Sequence, residues 1–76
     1  MEKIHVGALI SKARKELGLS RDSLCFKLYD EGMQRSERTI SNWEHGKSSP
    51  NCGEIEALSK VLNKPILYFF NIKNGD

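Results

Sequence analysis

The chain reads as an all-α fold, a compact bundle of about five short helices in one domain. Three observations predict it. Apolar residues recur at spacings of three and four, and no segment alternates with the period of two that a half-buried strand requires. Polar capping residues and glycines or asparagines stand where those runs begin and end. Seventy-six residues, 38% of them hydrophobic and 29% charged, supply one small core and are too apolar to stay disordered.

"VGALISKARKEL" places Val6, Leu9, Ile10, Ala13 and Leu17 along one face of a first helix and leaves Lys12, Lys15 and Glu16 facing water. Gly18 suits the residue after that helix, where a positive φ closes it. Ser20 caps a second helix, running from Arg21 to Tyr29 or Asp30, and Leu19 can staple onto Leu24. That helix is expected to bury Leu24, Cys25 and Leu28. "DEGMQR" is a turn around Gly32 with Met33 tucked inward. Ser36 caps a third helix, 36–45, whose Thr39–Glu44 segment ends at Gly46. "KSSPN" is a loop. Pro50 or Asn51 opens a fourth helix that buries Ile55, Leu58, Val61 and Leu62, while Glu54 and Glu56 read as solvated charges. Asn63 is a left-handed terminator, and Pro65 starts a last short helix, "ILYFF", oily nearly all round. Residues 71–76 read as a frayed tail, so the packed part is about 6–70 of a single domain 1–76.

The third helix poses the functional question. Its apolar edge is thin, Ile40 and Trp43, and Trp43 is expected in the core. Glu37, Arg38, Ser41, Asn42 and His45 share the other side, all able to hydrogen-bond in a plane. The net charge of +2 says little, but Lys3, Lys12, Arg14, Lys15 and Arg21 outnumber Glu2 and Glu16 in the first 21 residues, a local basic stripe suited to a polyanion.

Several function classes are disfavoured. Cys25 and Cys52 form no CxxC pair, and no disulfide is expected. No leader pattern and no apolar run near ~20 residues is present, so the expectation is a soluble, reduced, cytoplasmic protein without a membrane partner. The His and Cys spacings suggest no metal site, and His5 and His45 read as surface residues. No nucleophile–base arrangement suggests an enzyme, and neither a cofactor nor a small-molecule ligand is expected.

"ELGLS", then "TISNWEHGK", then Pro50 and "EIEALSKVLN", in that order and at compatible spacing, resemble the lambda-repressor-like, Cro-type (XRE) helix-turn-helix family. The resemblance covers residues 6 to 70. It implies a five-helix bundle in which the second and third helices form the helix-turn-helix and the third enters the major groove of double-stranded DNA. Base reading then falls to Glu37, Arg38, Ser41 and Asn42. Arg38 suits guanine O6/N7, Asn42 suits adenine N6/N7, and Glu37 can accept from cytosine N4 or orient Arg38. Phosphate contacts fall to Arg21, Ser36, His45 and Lys47. Arg21 stands where the family usually has a glutamine that grips phosphate and braces the first reading residue. Arg14 and Glu44 match a structural ion pair of the family. Two departures stand out: the Tyr29–Arg35 connection is longer than the usual short turn, and Cys25 replaces a usual alanine.

The family often binds as homodimers, on half-sites about one turn or ~34 Å apart. In "PILYFF", Tyr68, Phe69, Phe70 and, beyond it, Ile72 are the candidate dimer surface, unless they only close the core. The expected function is a sequence-specific transcriptional regulator, a small repressor of prokaryotic or phage type. The rival reading is a protein-interaction module, or an antitoxin or controller-type partner protein, on the same fold.

Overall fold

The computed structural model describes residues 5–70. Five helices follow one another: α1 (Val6–Glu16), α2 (Arg21–Asp30), α3 (Glu37–Glu44), α4 (Cys52–Leu62) and α5 (Ile66–Phe69). Among the described residues there is no strand.

Side-chain caps start three of these helices. Ser20 Oγ accepts from the Ser23 N–H at 3.0 Å, and Ser36 Oγ from the Thr39 N–H at 3.2 Å. Asn51 and Glu54 form a reciprocal capping box at α4, with bonds of 2.8 and 2.7 Å. The ends are closed by the following backbone. Leu19 N–H reaches Arg14 O at 3.0 Å, Met33 N–H reaches Leu28 O at 2.9 Å, and Lys47 N–H reaches Asn42 O at 2.8 Å. Asn63 ends α4 in the left-handed region at φ 59°.

The core lies where all five helices meet. Ile10, Leu24, Leu28, Ile40, Leu58 and Phe69 have no exposed surface, and Trp43 is sealed among them. Gly7 lets α1 lie directly on the end of α3. A Cβ at that position would stand 1.8 Å from the Trp43 carbonyl oxygen. The long connection between α2 and α3 is also anchored. Arg35 Nε donates to Glu54 Oε2 at 2.7 Å, and Arg35 Nη1 to the Gln34 carbonyl at 2.7 Å.

The structure corrects three expectations. Leu17 is half-exposed because α1 ends at Glu16 and Leu17 sits at its C-cap, already leaving the apolar face. Glu54 is buried, since one carboxylate oxygen caps α4 and the other receives Arg35; Glu56 is exposed. Phe69 is not available to a second subunit, because α5 turns its ring fully into the core. The tail 71–76, with Ile72, lies outside the described residues.

Candidate nucleic-acid interface

α3 presents two unlike faces. Ile40 and Trp43 pack inward, and Glu44 is buried with them. On the other side Glu37 and Arg38 are exposed, and Ser41 and Asn42 are half-exposed. Among the described residues, the side chains of Arg38 and Asn42 have no hydrogen-bond partner, so their planar donor groups stand ready for an outside acceptor. With side chains an α-helix is about 10–12 Å across, a diameter that a DNA major groove about 12 Å wide admits.

The flanks of this face carry the residues expected near phosphate. Ser36, exposed, has its hydroxyl engaged as the cap of α3 and 3.2 Å from Thr39 Oγ1. His45, also exposed, folds back along the helix. Its Nδ1 lies 2.8 Å from the Ser41 carbonyl oxygen and 3.2 Å from Ser41 Oγ. A proton on Nδ1 makes the first a hydrogen bond and keeps Nε2 as the free polar atom of the ring. Gly46, at φ 77°, takes the left-handed turn that releases exposed Lys47 beyond the helix end.

Arg21 is different. Its guanidinium leans on Glu44, with Nε 3.0 Å and Nη2 3.0 Å from Oε1. The same carboxylate is held from the other side by Arg14, whose Nε lies 2.7 Å from Oε2 and whose Nη2 lies 3.1 Å from Oε1. Arg14 Nη1 adds a bond to the Leu19 carbonyl at 2.8 Å. The first residue of α2, the last turn of α1 and the last residue of α3 are thereby tied at one carboxylate. Burial pushes the Glu44 carboxyl up. The hydrogen bonds and charges of Arg14, then of Arg21, overcome this and hold it below the ordinary carboxylate range. Burial first, then the charges of Glu37 and Asp22, push the Cys25 thiol up and keep it protonated.

Sequence reasoning missed two of these links. The Arg21–Glu44 contact joins residues 23 apart and leaves no local pattern. The burial of Glu54 did have a signal, the Asn51-x-x-Glu54 spacing of a capping box.

The α5 surface is smaller than "PILYFF" suggested. Tyr68 is half-buried, its ring edge-on to Phe69 at 5.1 Å and under the Lys64 ammonium at 4.8 Å. Ile66, 37% exposed, Leu67, 72% exposed, and Phe70, 50% exposed, are its apolar outward residues. Among the described residues no cluster of side chains could hold a metal, and no helix is long and apolar enough to cross a membrane.

The sequence profile of the family described as "Helix-turn-helix" matches residues 10–69. Two curated proteins, each named an uncharacterized HTH-type transcriptional regulator, come from Sinorhizobium medicae and Rhizobium meliloti, and each is 30% identical over 73 residues. Those alignments take in 96% of this chain and 49% of each relative, so the chain spans about half the length of the curated relatives it matches. No solved structure matches it significantly.

Proposed function

The chain belongs to the helix-turn-helix family, in its XRE branch, and on that premise we propose that it regulates transcription by binding double-stranded DNA sequence-specifically. The observation that carries this reading is the outward face of α3. A helix anchored by Ile40, Trp43 and the Glu44 carboxylate holds Arg38 and Asn42 outward on a fixed backbone, their planar groups uncommitted among the described residues. Glu37, Arg38, Ser41 and Asn42 read base edges in the major groove. Arg21, Ser36, His45 and Lys47 line the flanks and hold phosphates, which sets register without reading sequence.

The finer assignment is a small repressor of prokaryotic or phage type, which blocks polymerase by occupying its site. It binds as a homodimer at least on DNA, and the exposed Leu67 and Phe70 with part of Tyr68 are the contact surface. A docking role for a protein partner has one observation in its favour. Phe26 and Tyr29 stand 67% and 63% exposed on α2, on the side where Cys25, Gln34 and Arg35 form a shallow apolar hollow.

Salt separates the two. A labelled duplex titrated with the chain between about 50 and 200 mM salt should lose affinity with a log–log slope near −0.9 per phosphate contact. A flat salt response would reject the DNA reading and favour apolar docking.

A further inference from the structure

We propose that Glu44 is a positioning residue for DNA binding: its carboxylate holds the Arg21 guanidinium beside α3 as a clamp for one backbone phosphate. The inference rests on the DNA-binding reading and states how one of its contacts is set.

The charges around Glu44 are unequal. One carboxylate, its side chain 3% exposed, faces two guanidinium groups. Arg14, 9% exposed by side chain, is already bonded through all three of its nitrogens and neutralises it. Arg21 is the surplus cation, and its side chain is 38% exposed. Only one edge of its fork, Nε and Nη2, leans on Oε1, at 3.0 and 3.0 Å. Among the described residues Nη1 has no partner, so that end of the fork remains for an outside anion.

With the Arg21 side chain 38% exposed, its contact adds little to stability, because Arg14 alone already keeps the buried Glu44 compensated. What the contact does is fix a long side chain before the ligand arrives. A phosphate then binds a pre-ordered fork and immobilises fewer rotamers. Glu44 is also the last residue of α3, so clamp and reading face belong to one rigid unit. Their separation, and hence the register of base reading against the backbone, is set by the protein. A lysine at position 21 would keep the charge and lose the two-sided fork.

The test uses the 76-residue chain, a labelled random-sequence duplex, and the variants Arg21→Lys, Arg21→Ala, Glu44→Gln and Arg21→Lys/Glu44→Gln. Thermal melts fix a temperature at which each is folded. Arg21→Ala should lose affinity and reduce the salt slope by about 0.9. Arg21→Lys should keep the parent slope yet bind roughly three- to tenfold more weakly, because charge is retained and positioning is lost. Glu44→Gln should weaken the parent by a similar factor and add almost nothing to Arg21→Lys. Parental affinity in Arg21→Lys would overturn the clamp and leave the DNA reading standing. So would an equal cost of Glu44→Gln in both backgrounds, since its effect would not then pass through Arg21. If Glu44→Gln fails to fold, the comparison of Arg21→Lys with Arg21→Ala decides alone: slope recovered without affinity supports positioning, and both recovered together reject it. A parent chain without salt-dependent duplex affinity would sink the inference and the DNA reading together.

Discussion

Arg14 commits three nitrogens inside the protein, two to Glu44 and one to the Leu19 carbonyl, and almost none of its side chain reaches water. Removing it leaves a buried carboxylate with only the half-exposed Arg21 beside it. Loss of one side of a buried pair typically costs about 3–5 kcal/mol. Against a total near 5–15 kcal/mol for a domain, that is a large share. Arg14→Ala should therefore show a much lower midpoint in urea, and any loss of DNA affinity should vanish under conditions that restore folding. Unchanged stability with lost affinity would reassign Arg14 to the interface. Glu44 also makes a pH dependence. Its folded pKa lies below the ordinary 4.5, so its stabilising contribution is complete above the unfolded value and disappears as pH falls through the folded one. Melting temperature should hold between neutral pH and about pH 5 and then drop, and the drop should be shallower in Glu44→Gln. An equal drop in both would assign the acid sensitivity to other carboxylates.

Helices and their ends were largely legible in the chain. Ser20, Ser36, Gly18 and Asn63 announce boundaries because capping is a local matter of one side chain and one or two backbone groups. Faces were legible where periodicity is long, as in α4, and less so at ends, where Leu17 and Phe69 each went to the other environment. One residue more or less of helix rotates such a side chain by about 100°. Apart from Arg14 with Glu44, which the family resemblance implied, contacts distant in sequence were not legible: Arg21 with Glu44, Arg35 with Glu54, and the approach of α1 to α3. Gly7 and Gly53 both stand second in their helices, and nothing local separates them. Yet a Cβ at Gly7 would overlap the Trp43 carbonyl, whereas at Gly53 its nearest neighbour is Asn51 Oδ1 at an ordinary 3.5 Å. Helix propensity favours alanine at each by up to about 1 kcal/mol. Overpacking against backbone costs about 1–3 kcal/mol and outweighs it at Gly7 only. Gly7→Ala should lower the melting temperature and Gly53→Ala should not. Equal responses would mean that α1 slides along α3 without strain.

At the scale of the whole molecule, the division of labour follows from what a small bundle can bury. One core uses an inward side of every helix, and the opposite side of α3 is left to solvent with planar hydrogen-bonding groups at regular intervals. Under the proposed reading, which bases it meets is not written in helix periodicity, because Arg38 and Asn42 would each suit one edge only after docking fixes their height in the groove. The measurement that reaches this most directly is selection from a randomised duplex library by the parent chain, Arg38→Ala and Asn42→Ala. If α3 is the reader, the parent enriches one motif, and the proposed homodimer makes it two-fold symmetric with half-sites about one helical turn apart. Each variant then relaxes preference at its own position, by about 1–3 kcal/mol of discrimination, without a change in melting temperature. No enriched motif, or a motif that both variants reproduce, would contradict the assignment of α3 as the reading helix.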